Sequence, residues 1–119
     1  MSDSNPSGLS DNAAAAIAYL TFVPALIFLL IEPFNRNPFV RFHAWQSILL
    51  NITAVLIDFA LGLVLVFAVM FLPFAHFAIW RLVELFWLIV WLLCMFNAFN
   101  GKRFKLPIIG PMAEKQAGA

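Results

Sequence analysis

Asp58 carries the strongest chemical signal in this sequence. It is a carboxylic acid inside the run from Ile48 to Met70, where only Asn51, Thr53 and Asp58 are polar. At about 100° per residue, His43, Ser47, Asn51 and Asp58 fall within one quadrant of a helix, so the spacing predicts an intramembrane polar stripe through Ser47, Asn51 and Asp58. An ionisable group at such depth is costly and is by default a functional site, facing a partner or a watery cavity. Two readings stand side by side. The stripe lines a path for transport, or Asp58 hydrogen-bonds a neighbouring helix, helped by the small residues Ala54 and Gly62 on its own face.

The remaining polar residues suit interfaces better than reaction chemistry. Arg81 and Glu84, three apart, are adjacent on a helix surface and read as an intrahelical pair; Arg81 lies about 12 Å in helix rise from the level of Asp58, too far for a direct pair. His43 has no second histidine or carboxylate at ligand spacing, so it reads as an interfacial histidine beside Trp45 and Gln46. Arg41 and the cluster Lys102, Arg103 and Lys105 suit anionic lipid headgroups. Cys94, the single cysteine, excludes an internal disulfide and is expected to be inert in apolar surroundings. No phosphate loop, metal-ligand motif or nucleophile with a base at readable spacing is present. Neither enzymatic activity, a cofactor, a metal nor nucleic-acid binding is expected.

These residues need membrane helices to position them. Hydrophobic residues make up 64% of the 119 and charged residues 11%, against roughly 45–50% and 25% in soluble domains. The expected fold is an all-α membrane protein of three transmembrane helices, with spans at about 13–31, 44–72 and 78–99, an interfacial lead-in to helix two and a short cytoplasmic C-terminal tail. Residues 1–12 read as a mobile polar tail. In the first span Ala14, Ala18 and Ala25 line one face with Thr21, a pattern that lets helix backbones approach in lipid, and Pro24 predicts a kink. Glu32 to Pro38 reads as the connection, with Pro38 in the first turn of helix two. Pro73 breaks the next run. Asn97 to Lys105 closes the last span with an Asn/Gly stop and a basic cluster, and residues 101–119 form a basic tail with a short helix from Pro111 through Gln116.

Positive charge flanking the spans belongs on the cytoplasmic side. With three spans, Arg36, Arg41, Lys102, Arg103, Lys105 and Lys115 share one side and the N-terminal tail lies on the other. The expectation is therefore an N-terminus outside and a C-terminus in the cytoplasm.

Two blocks, Asn37-Pro38-Phe39-Val40-Arg41-Phe42-His43-Ala44-Trp45-Gln46-Ser47 and Asn97 to Gly110, resemble those of the Tic-twenty-like family. These are small bacterial membrane proteins related to a subunit of the chloroplast inner-envelope import machinery. The resemblance spans about Ala13 to Glu114. It implies a bacterial inner-membrane protein with Phe39, Arg41, His43, Gln46 and the Leu106 to Gly110 loop on one cytoplasmic face; the plant members have four spans against the three counted here.

The function expected first is a structural or accessory subunit, bound by membrane lipids and packing against itself or a larger membrane complex. Its motive is the small-residue face of the first span and Trp80, Trp87 and Trp91 in the last. The alternative is a component of an oligomeric transporter or translocation machinery, motivated by the polar stripe.

Overall fold

The computed structural model describes residues 10–32 and 34–118, and the expected N-terminal tail falls almost wholly outside them. All regular structure among the described residues is helical: α1 (Asp11–Ile17), α2 (Phe22–Leu30), a 3₁₀ turn at Phe34–Arg36, α3 (Pro38–Leu65), α4 (Ala68–Phe71), α5 (Pro73–Phe99) and α6 (Ile109–Ala117). Two of these, α3 and α5, are long and apolar enough to cross a membrane, and their apolar windows are almost entirely unburied. Each would be about 40 Å long at 1.5 Å per residue, enough for a hydrocarbon core of about 30 Å.

The expected first span is not one span. The stretch falls instead into two helices, α1 of 7 residues, which already starts at Asp11, and α2 of 9, about 10 and 14 Å long, neither of which reaches across a bilayer. The break falls at Ala18–Thr21, not at Pro24. Pro24 is the third residue of α2, where its missing N–H is one of the four that a helix start leaves unpaired in any case. Thr21 caps this second start, its hydroxyl accepting from Val23 N–H at 3.2 Å.

The two short helices form a hairpin that enters and leaves at one end of the molecule. At the start of α1, Asn12 lies against Gly101, just beyond the end of α5. At the turn, Leu20 shares a groove with Asn51, Ala54 and Leu88, midway along α3 and α5. On the return, Phe22 and Leu26 face Ile48, Ile52 and Val55, and Phe28 stacks at 4.7 Å on Phe34, next to the start of α3. The small-residue face does the packing: Ala14, Ala18 and Ala25 are fully buried with Val40 and Ala44. Ser10 therefore lies at the same end of the described residues as the basic tail, whereas three full spans would set the two at opposite ends.

Helix α3 starts where expected, with Pro38 in the first turn and the Asn37 side chain capping Phe39 and Val40. It ends at Leu65, and α5 begins at Pro73, ahead of the expected start at 78. Proline at a first turn explains this, because it starts a helix as readily as it ends one. The tail is folded back onto the bundle, with α6 placing Ala113 and Ala117 over Phe42. Its path depends on Gly110, where an added Cβ would sit 2.6 Å from the Lys105 Cβ. A Lys105–Glu114 bridge of 2.9 Å closes the same turn.

The lead-in of α3 is accordingly buried within the protein. Val40, Phe42, His43, Ala44, Gln46 and Ser47 are buried under α1, α2, α6 and the tail. Among the described residues only α3, α4 and α5 continue beyond the hairpin tip, contacting each other through side chains such as Trp80 on Gly62.

Candidate functional site: a buried polar knot at the hairpin tip

The break in the first apolar run exposes backbone that lipid cannot satisfy, each unpaired group costing several kcal/mol. Several of these groups find partners within the chain. Tyr19 and Leu20 N–H bond back to Ala16 and Ile17 at 3.0 Å, tightening the end of α1. The Tyr19 carbonyl accepts from the Trp91 indole on α5. The Tyr19 side chain then points down between α3 and the tail.

There it meets His43 and Gln46, one turn apart on α3, all three essentially without solvent exposure. Gln46 Nε2 donates to the Tyr19 hydroxyl at 2.7 Å and to Phe104 O at 2.8 Å, and Gln46 Oε1 accepts from Leu106 N–H at 3.1 Å. This fixes the amide orientation, since a flip would set oxygen against oxygen at Phe104 and two donors face to face at Leu106. His43 Nε2 lies 2.9 Å from Lys102 O, which can only accept, so Nε2 bears the proton. His43 Nδ1, 2.6 Å from the Tyr19 hydroxyl, is then the acceptor for the phenol proton. The edges of Tyr19, Phe39 and Phe42 enclose the imidazole. With neutral His43 every donor and acceptor in the knot is used once. Protonated His43 would present a second donor to a hydroxyl that already accepts from Gln46 and would have no acceptor for its own proton.

The polar groups of the knot are thus spent on one another. The knot joins three stretches distant in sequence: the hairpin tip, the start of α3 and the extended segment 102–106. His43 and Gln46, expected at the membrane interface, are interior residues because the tail docks over them. Trp45 is half-buried against α6. Arg41 donates to Ala117 O at 3.1 Å and Asn35 O at 3.2 Å, tying α6 and the first loop together. Lys102, Arg103 and Lys105 remain exposed at this end, with Arg103 stacked over Phe42.

The polar stripe faces protein. Asn51 Nδ2 bonds to Ser47 O at 2.8 Å within its own helix. Asp58 accepts from the Trp87 indole at 2.9 Å, so this carboxylate meets α5 as a hydrogen-bond acceptor, and Arg81 pairs with Glu84 at 2.6 Å instead. Both of those charges are more than half exposed. Ser47 is fully buried with a hydroxyl that has no partner. It borders a groove of ≈ 380 Å³ beside the tip, walled by Tyr19, Leu20, Trp87 and Trp91. No three His, Cys, Asp or Glu side chains converge among the described residues.

Tyr19 is the participant that sequence reasoning missed. Its signal was available: it is the only tyrosine of the chain, set in an apolar run, and a buried Tyr hydroxyl usually requires a partner.

Comparison with known proteins corrects the family reading. The family model described as the magnetosome magnetite crystal formation protein family matches residues 10–113. A UPF0132 membrane protein of Archaeoglobus fulgidus is 36% identical over 111 residues, covering 92% of this chain and 98% of its own length. The UPF0132 membrane protein MJ1443 of Methanocaldococcus jannaschii is 36% identical over 109 residues, covering 91% and 89%. No solved structure matches. The Tic-twenty-like resemblance is thus replaced by this family, and these relatives are archaeal where bacterial ones were expected. Their names and the apolar helices agree that this is a membrane protein.

Proposed function

As the chain belongs to the magnetosome magnetite crystal formation protein family, a set of small membrane proteins, we propose that it serves as a structural subunit of the membrane, assembling laterally with itself or with a larger membrane complex. The observation that carries this reading is the half-exposed Arg81–Glu84 pair, whose Glu84 also borders the groove beside the hairpin tip. Inside the molecule the polar groups of the knot satisfy one another, whereas these two charges stand on α5 among exposed Phe77, Leu82, Leu85 and Leu88. Charged residues in such segments normally face a bundle interior, so an exposed pair marks a face that another helix covers.

Crystal-forming chemistry at the mineral itself is a weaker fit. Glu32, Glu84 and Glu114 are each engaged by a cation of the same chain, Arg36, Arg81 and Lys105, and Asp58 by Trp87. The transport alternative needs a wetted stripe; the Asn51 amide nitrogen and one Asp58 oxygen are bonded within the protein.

Native mass measurement after gentle detergent extraction tests the proposal. Wild type is expected as an oligomer or hetero-complex, and Arg81→Leu/Glu84→Leu is expected to change its mass distribution. A monomer in both samples would overturn it.

A further inference from the structure

The unequal build of the two halves has a mechanical meaning for the bilayer. At the end bearing Ser10, Asn37 and Gly101, a section through the molecule cuts α1, α2, α3 and α5, with α6 laid against the start of α3. Past the level of Leu20, Asn51 and Leu88, only α3, with its short extension α4, and α5 remain among the described residues. With each helix about 10 Å across, and so roughly 80 Å² in section, one half displaces two to three helix sections more lipid than the other.

The wide end is also the charged end. Arg36, Arg41, Lys102, Arg103, Lys105 and Lys115 all lie there, and Arg81 is the single remaining basic residue. Basic side chains beside a span favour anionic headgroups by about 1 kcal/mol each near the surface. The wide half is thereby held at one leaflet. The knot makes the taper rigid, because Tyr19, His43 and Gln46 bind the hairpin tip to α3 and to the tail.

We propose that this protein is a bilayer wedge, concentrating in membranes curved so that the leaflet at its basic end is the convex one. The ligand is thus a lipid surface defined by shape. The observation behind it is the half-depth hairpin.

The test uses the full chain, fluorescently labelled and reconstituted into wholly zwitterionic phosphatidylcholine vesicles and into vesicles containing anionic phosphatidylglycerol. Each composition is prepared at about 30 nm and about 200 nm diameter, since amphipathic membrane association is sensitive to both curvature and lipid composition. Protein per lipid is read vesicle by vesicle, and orientation by trypsin access at Lys102 and Arg103. Expected is a several-fold higher density on small vesicles of both compositions, with the basic tail outward on most of them. Equal densities, a tail facing inward on the small vesicles, or an enrichment confined to the anionic vesicles would overturn the proposal.

Discussion

Tyr19→Phe probes the knot with the least disturbance. The ring and its volume stay, so no cavity opens, and only the hydroxyl is lost. That hydroxyl accepts from Gln46 Nε2 at 2.7 Å and donates to His43 Nδ1 at 2.6 Å. Its removal strands one amide hydrogen and one imidazole lone pair where neither residue has solvent access. His43 cannot recover by changing tautomer, because its other nitrogen would then turn a lone pair towards Lys102 O at 2.9 Å. Each stranded buried group costs about 1–3 kcal/mol, so a loss of about 2–4 kcal/mol is expected after partial relaxation. The assay is equilibrium unfolding in mixed micelles, with Gln46→Leu and the double variant completing a cycle. Residues sharing a network couple by about 0.5–3 kcal/mol, so the double variant is expected to lose less than the sum of the singles. A Tyr19→Phe protein within about 0.5 kcal/mol of wild type, the usual span for a substitution at no special site, would refute the knot as described.

Other outcomes follow from the same geometry. Gly110→Ala drives a Cβ to 2.6 Å from that of Lys105; it is expected to cost more than about 2 kcal/mol, as overpacking does, and to raise protease sensitivity at Lys105 and Lys115. Gly101→Ala places a side chain at φ +78 against the Asn12 amide, and a loss of about 1–2 kcal/mol in thermal unfolding is expected. Trp87→Phe leaves Asp58 without its donor and is expected to destabilise by about 1–3 kcal/mol. Asp58→Asn keeps an acceptor and is expected to cost under about 1 kcal/mol, which the same unfolding assay separates.

Much of this molecule was legible in its residues, and what was not has physical causes. The helical class, the Pro38 start of α3 and the Arg81–Glu84 pair all depend on local spacing, and local spacing reports them. The hairpin does not. Nineteen apolar residues have the same composition whether they cross a bilayer or go halfway and return, and the turn at Ala18–Thr21 contains neither Gly nor Pro. The one local mark, Thr21 as a cap with Pro24 in the following turn, is a helix start that reads as a kink when a continuous span is assumed. His43 and Gln46 could not be placed in the interior either, because what buries them is the tail about 60 residues later in the chain. The hydrogen bond from Trp87 to Asp58 joins residues 29 apart on two helices, and no local spacing specifies it.

Whether the first apolar run returns to its own side decides the rest of the architecture. Single cysteines at Asp11 and Glu32, each in a Cys94→Ser background, can be reacted with a membrane-impermeant maleimide in sealed vesicles of uniform orientation. A third cysteine, at Lys102, marks the basic side. The expected result is that Asp11→Cys and Glu32→Cys are both labelled from the side that labels Lys102→Cys. Labelling of Asp11→Cys from the opposite side would contradict the hairpin and restore a full first span.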